Sequence, residues 1–241
     1  MKAEEDNDIR INKYLSEAGV CSRRQADAYI RDKKVTINGT IAVLGDRVTK
    51  ADVVCVNQIP IQIKDKVVLL AFHKPRGLEC TSNPQIKPNI ISYINYPERV
   101  FTIGRLDKNS EGLILLTNQG DIVNKMMRAR NGHEKEYLVT VNKSITDVFL
   151  QKMRSGVAIL DTVTRPCTVE QVNDRVFRII LTQGLNRQIR RMCEALSYKV
   201  TELKRIRVMN IELGDLKTGT YRPVTRREYD ELMQMISTSS Q

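Results

Sequence analysis

The spacing of apolar and polar positions divides the chain into a short amino-terminal module and a longer body. Between Ile9 and Ala18, Ile11 pairs with Leu15 and Tyr14 with Ala18 at i,i+4, which predicts a short helix. Gly19 follows where a left-handed cap belongs. Ser22-Arg23-Arg24-Gln25 has the form of a capping box and predicts a second helix through about Asp32. Val35–Ile37, Asn38-Gly39 and Thr40–Val43 predict a hairpin, and Asp52–Val56 a further strand. Residues 1–8 read as a disordered tail, so the module spans 9–56. The stretch 57–66 alternates around Pro60 and reads as a linker or entry strand.

The body, 67–237, mixes β-branched runs with helical stripes. Val67–Phe72, Gly112–Thr117, Lys135–Val141 and Val176–Thr182 predict strands. Asp121–Arg130 puts Ile122, Val123, Met126 and Met127 on one stripe, and Ile145–Met153 predicts a helix ending at Gly156. Thr225-Arg226-Arg227-Glu228 is a second capping box, opening a final helix to about Ile236, with a frayed end at 237–241. This pattern predicts an α+β fold with a mostly antiparallel sheet.

Charge narrows the class of partner. The net charge is +11, and the first eight residues contribute −3, leaving +14 for the rest. A basic body of this kind suits a polyanion. The five cysteines (Cys21, Cys55, Cys80, Cys167 and Cys193) lie at least 25 residues apart, which argues against a disulfide framework or a zinc site. The acidic start has no apolar stretch of a signal peptide, and the longest apolar run, Val67–Phe72, is too short to cross a bilayer. A cytoplasmic protein with no membrane partner is expected.

Four segments hold candidate chemistry. Arg23 and Arg24 open a helix, where cations oppose the helix dipole by roughly 0.3–1 kcal/mol each. A bound phosphate would reverse that sign; otherwise the turn is simply solvated. In Gly104–Thr117 a polar loop runs into an apolar strand, and Asp107 lies between Arg105 and Lys108. Those cations favour an ionised carboxylate, which suits a nucleophile and not a general acid. In Gln183–Met192, Leu185, Ile189, Met192 and Leu196 form one stripe and Arg187, Arg190, Arg191 and Glu194 another face. That face is either a solvated basic surface or a cationic wall for RNA. In His133–Val139, Tyr137 opens an apolar strand, as a core tyrosine or as an aromatic platform for a flipped base.

Residues 10–27 together with Val35-Thr-Ile-Asn-Gly resemble the S4 RNA-binding domain, and Arg10, Lys13, Arg23 and Arg24 match its contact positions. Adding Gly104–Asn118, Lys135–Val139 and Asn186–Met192, nearly the whole chain resembles the RsuA-type pseudouridine synthases with an S4 domain. The resemblance implies an S4 module followed by a catalytic domain with a long mixed sheet. It implies Asp107 as the essential aspartate, Tyr137 as the residue stacking on the target base, and Arg190 as the ion-pair partner of Asp107. Arg105 would fill the space of the flipped nucleotide, and Arg187 and Arg191 would join the RNA contacts. No metal or cofactor is implied. The implied substrate is 23S ribosomal RNA, with a tRNA as a candidate second substrate, acted on by a monomer. Two competing classes remain. A non-catalytic RNA-binding protein explains the charge and the module but not Asp107. A glycoside hydrolase needs a second carboxylate with a raised pKa, and Glu111, four residues from Asp107, lies among cations.

Overall fold

The computed structural model describes residues 8–63, 66–127 and 132–238, which form two compact units, residues 1–67 and 68–241. The first unit runs β1 (Ile9–Arg10), α1 (Ile11–Glu17), α2 (Arg23–Arg31), β2 (Val35–Ile37), β3 (Thr40–Ile41), β4 (Arg47–Val48), β5 (Val54–Val56) and β6 (Ile59–Ile61). Ser22 caps α2 reciprocally with Gln25, so the capping box is realised. Asn38 and Gly39 take φ of 51° and 83°, the two left-handed residues that join β2 tightly to β3. Ile11, Leu15, Ala26, Ile30, Val35, Val48 and Val54 close the core of this unit.

Three expectations are corrected here. The first helix begins at Ile11 and not Ile9, because Ile9 and Arg10 pair with Val48 and Arg47 as a strand. Asp8, read as part of a disordered tail, is ion-paired with Arg47 at 2.6 Å; the rest of that tail, 1–7, lies outside the described residues. Within the stretch 57–66, read as a linker or entry strand, residues 59–61 are a strand, but one of this unit's own sheet. They pair with β5 through a turn in which Asn57 and Gln58 are both left-handed.

The second unit runs β7 (Leu69–Lys74), α3 (Ile90–Ile94), β8 (Phe101–Ile103), β9 (Glu111–Thr117), α4 (Gly120–Met127), β10 (Lys135–Val141), α5 (Asp147–Ser155), β11 (Ala158–Ile159), β12 (Thr162–Val163), β13 (Thr168–Asn173), β14 (Val176–Leu181), α6 (Gln188–Ala195), β15 (Val200–Val208), β16 (Ile211–Glu212), β17 (Tyr221–Pro223) and α7 (Arg226–Thr238). Its sheet has nine strands in the order β13-β14-β10-β15-β9-β7-β17, with β16 on β15 and β8 on β9. Among the described pairings of this sheet only β15–β9 is parallel, through Lys204↔Glu111 and Arg205↔Gly112. The sheet is therefore mixed and mostly antiparallel, as expected.

Strand alternation sends Leu113 and Leu115 to one face, under Ile122 and Met126 of α4 and Leu232 and Ile236 of α7. Ile114 and Leu116 point to the other face, under Ile90 and Ile94 of α3. Farther along that second face, α5 and α6 cover Val139, Phe177 and Leu203. Met127 departs from its expected stripe and is half exposed, and Arg128–Arg130 of the expected helix lie outside the described residues. α5 starts two residues late because Thr146 caps it, accepting from Phe149 N at 3.2 Å. α7 runs on through Thr238, past its expected end, and 239–241 of the expected frayed end lie outside the described residues.

The parallel seam constrains Gly112, whose φ is +115° and whose Cβ, if present, would overlap the backbone carbonyl of Arg205. Gly112→Ala is expected to destabilise this unit by about 2–4 kcal/mol, which thermal melting reads as a drop of roughly 5–15 °C. A second expectation concerns Glu228, which caps α7 through Thr225 and binds Arg222 of β17 at 2.7 Å. The Arg222 pairing holds Glu228 at about 2, well below its ordinary 4.5. A depressed carboxylate stabilises the fold above its unfolded value and loses that contribution as pH falls toward the folded one. Glu228→Gln should therefore lose about 1–2 kcal/mol at pH 7, and its deficit against wild type should shrink between pH ~4.5 and ~2 in denaturant titrations.

Candidate active site

Asp107 stands in the loop that enters β9 at the seam, and the fold ties down every backbone carbonyl from 107 to 110. Ser110 N donates to Asp107 O at 3.0 Å, and Gly77 N to Lys108 O at 2.8 Å. The ammonium of Lys74, fully buried at the end of β7, donates to Ser110 O at 2.8 Å, Pro75 O at 2.9 Å and Lys108 O at 3.2 Å. Arg190 Nη2 donates to Asn109 O at 3.1 Å and to Ser110 Oγ at 3.4 Å. A loop whose carbonyls are all engaged holds its one protruding carboxylate in a fixed place.

Burial pulls the Lys74 ammonium below its ordinary value, while Cys80 and Asp107 act in the opposite direction. A buried lysine is tolerable only with acceptors around it, and here three carbonyls supply them. Lys74 was not anticipated from sequence. Its signal was available: a cation ending the strand Leu69–Lys74, directly before Pro75 and Gly77.

Arg190 approaches Asp107. Its Nε lies 3.9 Å from Asp107 Oδ2, a charge contact and not a hydrogen bond, and this buried Nε has no hydrogen-bond partner among the described residues. Burial lowers the Arg190 guanidinium from its ordinary value, Arg187 lowers it further, and Asp107 raises it. Of the two readings of this helix's basic face, the solvated surface does not hold for Arg190, which is only 8% exposed. It is covered by the elements it bonds, Asn109 and Ser110 of the Asp107 loop and Val200. Arg187 is a left-handed N-cap, and Gln188 Oε1 accepts from Leu185 N at 3.0 Å, so α6 begins at Gln188. Arg190 falls beside Ile189, Met192 and Cys193, on the buried side.

Tyr137 packs partly buried between the two core clusters of its face and pairs across the sheet with Arg205, whose other neighbour is Gly112. It is thus two strand spacings, about 10 Å, from the residue where the Asp107 loop joins the seam. Arg105 is exposed on that loop, beside the buried Cys80 thiol that accepts from Leu106 N at 3.4 Å. Arg191 is engaged locally with Asn186. Glu111 turns to the opposite face, where burial works to raise it but His73 at 3.0 Å and Lys204 outweigh that and leave it lowered. A raised second acid, which a hydrolase would need, is therefore not supplied by Glu111. On that same face a cavity of about 330 Å³ is lined by Glu136, Lys204, Arg207 and Glu212, and Glu136 is already held by Arg178 and Arg207.

In the first unit Arg10, Arg23 and Arg24 are exposed and Lys13 pairs with Glu17 at 3.7 Å. Arg23 Nη2 donates to Asn12 Oδ1 at 3.2 Å, which ties together the two helix starts that bear these cations.

A family model described as RNA pseudouridylate synthase matches residues 68–195, and one described as S4 domain matches residues 9–54. The chain belongs to the RNA pseudouridylate synthase family. This synthase is 51% identical to a dual-specificity RNA pseudouridine synthase RluF of Salmonella typhi, over 98% of this chain and 82% of that relative. It is 32% identical to the ribosomal large subunit pseudouridine synthase B of Bacillus subtilis, over 92% of this chain and 95% of the relative. A solved pseudouridylate synthase superposes with a TM-score of 0.69 at 27% identity, covering 93% of this chain and 99% of that one. The activity of this synthase is isomerisation of uridine in RNA, and among the described residues no helix is long and apolar enough to cross a membrane.

Arg190→Ala is expected to slow single-turnover isomerisation at saturating RNA by about tenfold or more, because the Asp107 loop loses its bond at Asn109 and the carboxylate its neighbouring cation. A variant that keeps the wild-type rate there and loses only affinity would reduce Arg190 to an RNA contact.

Proposed function

We propose that this synthase isomerises a uridine of large-subunit ribosomal RNA, that a tRNA is its second substrate class, and that it works in the cytoplasm with Asp107 as the essential carboxylate. The substrate reading is supported by the printed names of relatives, one dual-specificity and one acting on the large ribosomal subunit. The observation behind the site is the Asp107 loop, bonded at each carbonyl and facing the Arg190 guanidinium at 3.9 Å. The S4-like unit, through Arg10, Lys13, Arg23 and Arg24, grips structured RNA by its phosphates, with Arg187 and Arg191 adding contacts beside the reaction centre.

The reaction breaks the N1–C1′ bond, turns the uracil and forms a C5–C1′ bond; C5 then gives up its proton and N1 takes one. Nothing leaves, so neither free base nor free sugar accumulates. As N1 departs, C1′ becomes electron-poor, and a fixed carboxylate either attacks it or stabilises the charge. Tyr137 supplies the face on which the flipped base rests, and Arg105 enters the gap left in the RNA stack. Arg190 orients Asp107.

Asp107→Asn should reduce isomerisation of unmodified 23S ribosomal RNA by at least about a thousandfold while leaving RNA affinity within a few-fold of wild type. Turnover by this variant well above a protein-free blank would remove Asp107 from its role. RNA binding without any isomerisation by the wild-type protein would leave this chain a binding protein.

A further inference from the structure

We infer that Arg76 is a positioning residue that grips a phosphate of the RNA strand delivering the target uridine, and that Glu111 and Glu202 hold its side chain in the free protein. The inference rests on the reading of Asp107 as the reaction centre.

The backbone of Arg76 is fixed and its tip is not. Pro75 precedes it, and its carbonyl accepts from buried Lys74; Gly77 follows it, and its N–H donates to Lys108 O at 2.8 Å. Arg76 therefore springs from a turn bonded directly to the Asp107 loop. The side chain is 43% exposed, with Nε 3.9 Å from Glu111 Oε2 and Nη2 3.3 Å from Glu202 Oε1. Both contacts are single and long, and Glu202 is 60% exposed, so water screens the pair and it contributes little to stability. Glu111 does not depend on Arg76, because His73 and Lys204 already satisfy it. A guanidinium on a rigid root, loosely held by carboxylates with other partners, is free to move to a better acceptor. A phosphate is such an acceptor, since it takes a planar guanidinium in two parallel bonds.

The surroundings favour an anion of that kind. Arg76 and Arg187 both lie close enough to Arg190 to oppose its charge. Both cations thus act on the one guanidinium that faces Asp107, a repulsion that an entering polyanion would relieve. A solely structural Arg76 would instead have been paired in full hydrogen-bond geometry, as Arg207 is with Glu136 at 2.7 Å.

The test uses the full chain and an unmodified 23S ribosomal RNA transcript, with single-turnover isomerisation measured against RNA concentration at several salt concentrations. In Arg76→Ala the half-saturating RNA concentration should rise about three- to tenfold, and the slope of log affinity against log salt should fall by about one, the signature of one lost phosphate contact. The rate at saturation should fall much less than the affinity. Arg76→Lys should restore the slope, since a cation remains, but only part of the affinity. Glu202→Gln should tighten RNA binding up to about twofold by releasing the arginine. An unchanged slope in Arg76→Ala, a Lys variant that fails to restore it, or weaker binding by Glu202→Gln would each overturn the inference. Should Asp107→Asn prove fully active while Arg76→Ala loses the slope, the phosphate grip stands and the assignment of the reaction centre fails.

Discussion

Two half-sheets meet in this synthase along one parallel seam, and the seam exists because Gly112 has no side chain. Parallel pairing of β9 with β15 brings the backbone of Arg205 to where any Cβ at 112 would lie. Everything near the candidate site is measured from that contact. It fixes where β9 begins, hence where the loop of Asp107 turns. It places Tyr137 on the next strand over, across from Arg205. It also divides the helices, since α3 packs on one half of the shared face and α5 and α6 on the other. Parallel pairs normally need a long crossover. Here the connection from β9 to β15 contains the whole other half of the sheet, so closing the seam requires both halves to be built.

From the seam outward the loop is held by buried cations. Lys74 comes from β7 and Arg190 from α6, and both end on carbonyls of the same four-residue segment. Backbone carbonyls keep their partial charge whatever the pH, so cations bonded to them do not depend on a titrating partner. The consequence is a carboxylate whose position is set by main chain, while Asp107 itself stays a third exposed. The long 3.9 Å contact with Arg190 leaves the carboxylate open to solvent instead of burying it under its own ion pair.

How much of this was legible in sequence depended on range. Local devices were plain: the boxes Ser22/Gln25 and Thr225/Glu228 and the Asn38-Gly39 turn are set by neighbours three residues apart or fewer. Asp107 stood out because a charged loop abutted an apolar strand. What escaped was set by distant partners. Ile9 and Arg10 read as helix because only Val48 and Arg47, nearly forty residues on, make them a strand. β8, β16 and β17 are two or three residues long, too short for a period, and owe their pairing to β9, β15 and β7. The basic face of α6 allowed two readings, because only contacts with the distant Asp107 loop decide which side of Arg190 is covered. Lys74 escaped because a lysine beside a proline ordinarily signals a surface turn.

The buried donors left over expose the conflict between stability and chemistry. Arg190 Nε and Arg205 Nη2 are both buried without a hydrogen-bond partner among the described residues, while Arg205 Nε donates to Leu113 O at 2.6 Å. An unsatisfied buried donor typically costs about 1–3 kcal/mol, and a stability-only sequence would replace such an arginine with an apolar side chain. The two residues that retain this penalty lie one on the seam and one against Asp107. Along the rest of the same strand the pattern is different: Arg207 is bonded to Glu134, Glu136 and Met209 O. Unsatisfied buried guanidinium nitrogens therefore do not follow from the basic composition of the chain; among the described residues they belong to Arg205 on the seam and Arg190 beside Asp107.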